Sequence, residues 1–272
     1  MLPLNDMLPE LILEIFARAK TNLPNLALVN HRWCAIANSK VLREKIFPES
    51  AIRAIDYTLL WPHLNPAKEL PLPHCVYRDF QEGDLLTFIP EHFEITSEKE
   101  SITKKYFSLQ MISKLVETAK SDHKMIFSHG FLPMPNIEGD ISEFGFSTQE
   151  SRWVLIKSQP IGMGEPLNAQ KALAKGKGNG AHLSEFEDLC LPLITNYFKT
   201  GDWRFSNLLL RLNDPVLNYP VDGILYCLGL VCRCLPDIEL GPHLIFNTVP
   251  ANLIQNHIGG AVARRYLSSQ SH

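Results

Sequence analysis

No apolar run in the chain is long enough to cross a bilayer; the longest, residues 224–232, ends at Arg233. Excess positive charge is missing too. The 26 Lys and Arg stand against 29 Asp and Glu, for a net charge of -3 at pH 7 and a pI near 6.4. That balance argues against a nucleic-acid or anionic-membrane surface. The six cysteines (Cys34, Cys75, Cys190, Cys227, Cys232 and Cys234) follow no regular framework, so reduced thiols in a cytoplasmic setting are expected. There is no internal period of the leucine-rich, propeller or tetratricopeptide kind. The orders G-x-S-x-G, H-E-x-x-H and G-x-x-x-x-G-K-[ST] are all absent, which removes the common serine-hydrolase, zinc-protease and phosphate-loop signatures. The opening MLPLNDMLPELILEIF is apolar but carries Asp6, Glu10 and Glu14 and no basic start, so it is not expected to act as a signal peptide.

What remains is an ordinary globular composition, 45% hydrophobic and 20% charged over 272 residues, enough for a small module and a larger domain. Leu8, Leu11, Ile12, Ile15 and Phe16 form one helical stripe within residues 4–18, with Asp6 able to cap and Pro9 in the first turn. Leu26, Val29, Trp33, Ile36 and Ala37 form a second stripe, and residues 39–47 a third short helix stopped by Pro48. Prolines at 62, 66, 71, 73 and 90 then break up residues 49–98, leaving short strands or turns at 52–60 and 85–89. Helical spacing predicts helices over 101–120, 183–199 and 251–267. Strands are predicted at 124–128, 153–159, 208–212, 223–234 and 244–247. Helices and strands intermingle without a βαβ rhythm. The expected class is therefore α+β, with a three-helix module at 1–48 and a mixed domain at 49–272.

The N-terminal landmarks Leu8-Pro9, Ile15-Phe16, Leu23, Leu26 and Val29 through Arg32-Trp33 resemble an F-box. The likeness covers about the first 48 residues. It departs from the family pattern in being one residue shorter between Pro9 and Ile15, and in having AKTNLPN where an Asp-containing turn is usual. The resemblance implies a partner, the Skp-type adaptor of cullin–RING ubiquitin ligases. It places Leu8, Pro9, Ile12, Ile15, Phe16, Leu26, Val29 and Trp33 between the module's small core and that interface. A module this small cannot bury its own apolar surface and needs something to clasp it. Further on, SRWVLIKSQPIGMGEPLNAQKALA and YFKTGDWRF resemble a domain of F-box-like proteins from chlamydia-related intracellular bacteria. Its landmarks here are Trp153, Leu155, Pro160, Gly162, Asn168, Gln170 and Gly201. That likeness implies lineage and architecture, with no activity attached.

Chemistry-bearing groupings are weak beside these. Cys227, Cys232 and Cys234, with His243 downstream, lack the paired C-x-x-C knuckles of a zinc site. On a regular strand Cys227 and Cys232 point to opposite faces, so buried free thiols are expected. AKGKGNGA reads as a solvated loop. Ser128 beside His129 gives poor geometry for a dyad, as does His74 beside Cys75. Glu82/Asp84 and Glu91/Glu94 read as solvated carboxylates. No catalytic residue, metal or cofactor is expected. The implied function is recruitment of a target protein to a ubiquitin ligase in the cytoplasm, a host's cytoplasm for a bacterial effector. The rival is a cysteine-type hydrolase on which the N-terminal helices merely pack.

Overall fold

A computed structural model describes residues 51–73, 75–96, 101–104, 106–130, 145–147, 150–178, 180–213, 217–221, 224–233 and 241–266. The predicted module at 1–48, with Leu8, Pro9, Ile12, Ile15, Phe16, Leu26, Val29 and Trp33, lies outside the described residues. The first elements are β1 (Ala51–Ile52), α1 (Ala54–Leu60), β2 (Leu64–Pro66), α2 (Cys75–Asp79), β3 (Leu85–Ile89), β4 (Phe93–Thr96) and β5 (Ser101–Lys104). Then come β6 (Tyr106–Ser108), α3 (Leu109–Thr118), β7 (Ile126–Gly130), β8 (Gly145–Ser147), β9 (Arg152–Ile156), α4 (Leu167–Gly176) and β10 (Ala181–Leu183). The chain continues through α5 (Phe186–Thr200), β11 (Leu208–Arg211), β12 (Leu217–Val221), β13 (Ile224–Arg233), β14 (His243–Pro250), β15 (Ile258–Gly260) and β16 (Val262–Tyr266). The class is α+β.

Two large sheets organise these elements. The first has the order β1-β3-β9-β16-β10, antiparallel except at β1–β3. The second runs β15-β11-β13-β14-β7, with β12 also pairing to β13. Its long central hairpin is β13–β14, and its outer pairs β11–β15 and β14–β7 are parallel. The chain leaves the second sheet at Gly260 and enters the first at Val262. Only Ala261 lies between, and its carbonyl accepts from both the backbone N–H and the hydroxyl of Ser184.

Helix α5 packs against both sheets. Every residue from Phe186 to Phe198 is buried, Glu187, Asp188, Thr195 and Asn196 included. Its neighbours include β1, β3 and β9 of the first sheet. On the other side the Phe186 ring meets Phe246 of the second sheet edge-on at 4.6 Å. Polar groups drawn into this core are satisfied locally: Thr195 Oγ1 donates to Leu191 O at 2.8 Å and Asn196 Nδ2 to Asp202 O at 3.0 Å. Gly201 closes the helix in the left-handed region, φ 74°, its N–H on Tyr197 O. The His123 ring lies 2.8 Å from where a Cβ would be, a second reason for glycine there. At the same end Lys199 Nζ donates to Ala51 O at 3.0 Å and pairs with Asp56 at 3.1 Å, joining α5 to β1 and α1. Tyr57 and Trp61 of the α1 region are fully buried and spend their polar atoms on Phe88 O (2.8 Å) and Leu115 O (2.7 Å).

A smaller core lies on the outer side of the second sheet, where Leu167 and Ala174 of α4 meet Cys227, Val249 and Val262. From β9, with Trp153, the chain turns through Pro160 and Gly162 into α4, a helix the sequence reading did not place. Gln170 in that helix donates back to Gly162 O at 2.9 Å.

Three sequence readings are corrected. Residues 251–267 were expected as a closing helix, but Ile258–Gly260 and Val262–Tyr266 are strands. A Cβ on Gly259 would come within 2.5 Å of Met163 Sδ, and one on Gly260 within 2.2 Å of Leu183 Cδ1. These glycines serve close strand packing. The helix expected over 101–120 begins only at Leu109, after two short strands that pair with β4 and β8. Conversely, 52–60 is mostly helix, with Asp56 accepting the Arg53 N–H at 2.7 Å in a capping interaction.

Residues 50–272 alone should give one cooperative thermal transition, because the described residues close a large core among themselves. Within that fragment Ile194→Ala should cost about 2–5 kcal/mol, read from the urea midpoint. A shift below about 0.5 kcal/mol, in the range of surface substitutions, would contradict the central placement of α5.

Candidate functional site

The densest charge cluster sits where α5 begins. Asp188, in the first turn of the helix, is wholly buried. From β9, Arg152 reaches its Oδ1 through Nη2 at 3.0 Å and Nε at 3.2 Å, and also pairs with Glu187 at 2.8 Å. From β16, Arg265 donates to Asp188 Oδ2 at 2.7 Å and pairs with Glu185. From β10, His182 Nε2 lies 3.3 Å from the same oxygen. Burial alone would raise the Asp188 pKa, but the His182 hydrogen bond and the charges of Arg152 and Arg265 outweigh it and hold the carboxyl at about 2. For Glu187 the balance reverses: burial wins over Arg152, and its pKa is raised. Both Asp188 oxygens are taken, so the cluster clamps three strands to the helix and offers no open acid or base.

A different arrangement lies on the outer face of the second sheet. Parallel pairing of β7 with β14 sets Ser128 opposite Ile245 and Ile126 opposite His243. Ser128 Oγ therefore reaches His243 Nε2 diagonally, at 2.7 Å. Directly across β13–β14, Arg233 faces His243. Burial lowers the His243 pKa and the Arg233 charge lowers it further. The neutral imidazole can accept the serine proton, the first requirement of a nucleophilic pair. However, among the described residues no carboxylate lies within ion-pair reach of His243 to orient it, and the arginine weakens it as a base. Beside this row, Asn207, Leu208, Leu209, Val231, Arg233 and His257 line a hollow of about 370 Å³.

The remaining groupings resolve into structure. A cleft of about 550 Å³ is lined by Glu91, Glu94, Glu150, Lys68, His92 and Asn65, among others. Asn65 donates to Glu94 at 3.0 Å and His92 lies 3.1 Å from Glu91. Asp84, read as a solvated carboxylate, is buried instead. It accepts from Lys157 Nζ at 2.7 Å and from the N–H groups of Ser158 and Gln81 at 3.0 Å each. The start of AKGKGNGA belongs to α4, which runs to Gly176, with left-handed glycines at 178 and 180 beyond it. Arg211, wholly buried, donates to the carbonyls of Glu165 (2.6 Å), Pro250 (3.3 Å) and Leu253, tying two loops over the smaller core. Cys227 and Cys232 do face opposite sides: the first lies in the smaller core, the second in the main one. Burial pushes the Cys227 thiol up to about 11 and Cys232 to about 12, and raises Cys190 well above its ordinary value. No cluster of three or more metal-ligating side chains occurs among the described residues.

None of the eight residues assigned to partner binding is among those described. The Ser128–His243 contact was missed because its members are 115 residues apart, and the neighbour His129 drew attention instead. Among family models, curated proteins and solved structures, nothing matches this chain. No helix among the described residues is long and apolar enough to cross a membrane.

A carboxyl whose folded pKa is depressed stabilises the fold above its unfolded value. It loses that contribution as pH falls through the folded pKa. For Asp188 the window runs from the ordinary 3.8 down to about 2. Asp188→Asn should cost about 3 kcal/mol at neutral pH by leaving the buried Arg152 and the half-buried Arg265 short of a partner. In urea titrations across pH, the wild-type advantage should shrink through that window; a pH-independent difference would contradict the assignment. On the other face, Arg233→Ala should raise the His243 pKa while leaving it below 6.5, since burial persists. An NMR titration showing no change would remove the electrostatic coupling from the account.

Proposed function

We propose that this chain is an F-box-type adaptor: residues 1–48 dock a Skp-type subunit of a cullin–RING ubiquitin ligase, and the remainder holds a target protein. The observation that carries this is the order Leu8-Pro9, Ile15-Phe16, Leu26 and Val29 through Arg32-Trp33 within one short segment. Leu8, Pro9, Ile12, Ile15, Phe16, Leu26, Val29 and Trp33 then supply an apolar helical surface for a groove, with Trp33 as an anchor. The large core closed among the described residues supports a division of labour, because that part can stand on contacts of its own. The adaptor contributes proximity, raising the target's effective concentration beside the ligase, while another subunit forms the bond. The second resemblance supports an effector acting in a host cytoplasm that supplies the ligase.

A cysteine-type hydrolase is the alternative. Thiols pushed to about 11 and 12 at Cys227 and Cys232 stay protonated at neutral pH and make poor nucleophiles. This favours the adaptor reading without reaching Cys34, Cys75 or Cys234.

Replacing Leu8 and Pro9 together by Ala should weaken binding to a purified Skp-type subunit by on the order of a hundredfold or more, with the melting temperature of the larger domain unchanged. Unchanged affinity in calorimetry, or no binding by the wild type, sinks the reading.

A further inference from the structure

We propose that the hollow lined by the paired strands β11 and β13 captures the free C-terminal carboxylate of a target polypeptide, with Arg233 on the carboxylate and the last aliphatic side chain on Leu209 and Val231. The inference rests on the adaptor reading and names the class of target feature it recognises. It starts from the sheet register. Leu209 pairs with Val231 and Val231 with Ile245, which puts these apolar side chains in one row on the outer face. One step along the strands, Arg233 and His243 form the next row. The hollow of about 370 Å³ therefore has an apolar floor and a cationic end.

Its chemistry is one-sided. Of the six lining residues, Arg233 and His257 can carry positive charge and none is acidic. Among the described residues the Arg233 guanidinium makes no hydrogen bond or ion pair, although it is exposed and its fork is built for carboxylate. The His257 ring is exposed as well, while its carbonyl is committed to the Leu209 N–H at 3.0 Å. Arg233 also lowers the basicity of His243 across the strands, the mark of a positive potential that no acidic side chain among the described lining residues cancels. An anion seated at Arg233 supplies the missing charge, and an aliphatic group beside it covers Leu209 and Val231 at the same time. A peptide terminus carries both on one residue, and capture of terminal carboxylates is an established mode of peptide recognition.

The test uses the full chain and a fluorescein-labelled pool of heptapeptides randomised at the last four positions, as free acids and as C-terminal amides. Fluorescence anisotropy should show the free-acid pool binding roughly tenfold or more tightly than the amide pool. Arg233→Ala should abolish that difference, and Arg233→Lys should restore part of it. Unaltered thermal melts for both variants would confirm that the fold is intact. Equal binding of acid and amide, no binding of the acid pool, or full binding by Arg233→Ala overturns the proposal. So does hexanoate binding as tightly as the acid pool, because the hollow would then be a small-molecule site. The Leu8→Ala/Pro9→Ala chain should bind the acid pool like wild type. No Skp binding by the wild-type chain, with acid-selective peptide binding intact, is a failure of the adaptor reading, not of this one.

Discussion

A helix buried on every side leaves its polar groups nowhere to turn but inward, and Asp188 is where that constraint acts most strongly. Its carboxylate, sealed from water in the first turn of α5, would be untenable alone. Arg152 from one strand, Arg265 from a second and His182 from a third make it tenable. Those three strands are neighbours in the first sheet, so satisfying one charge fixes the sheet's position on the helix. The far end of α5 is bound in the same spirit, by Lys199 on Ala51 and Asp56. Between these two polar ends the apolar middle of the helix can be shared by both sheets.

The outer face of the second sheet follows from this arrangement. With its inner face committed to α5, its outer face is free to divide its tasks. Helix α4 covers one end over Cys227 and Val249. The other end carries Arg233, His243 and Ser128 beside an open hollow. Adding charge to the covered end would disrupt packing, whereas the open end already has more positive charge than its described surroundings balance.

How much of this was readable in the sequence depended on whether one period had a single interpretation. The strands around Trp153 and Cys227 are largely apolar runs and the helix at Phe186–Thr200 a longer apolar-rich one, which lengths and flanking residues assign correctly. Residues 251–267 were misread because Ile258, Val262 and Tyr266 are spaced by four, which fits one face of a helix and one face of a strand alike. Gly259 and Gly260 were the discriminating signal. The same ambiguity at Ile102 and Tyr106 hid two strands. Asp84 and Asp188 look like surface acids in the sequence, since their cations come from residues 73 and 77 positions away in Lys157 and Arg265. The proposed partner-binding surface comes from motif order alone.

The central claim is that the N-terminal segment meets a ligase subunit while the rest of the chain remains as it is. Hydrogen exchange on the full chain, with and without a purified Skp-type subunit, tests this most directly. The account predicts new protection confined to peptides spanning residues 8–33, and unchanged exchange across 51–266. Protection that appears in the α+β domain instead, or nowhere in the chain, would contradict it.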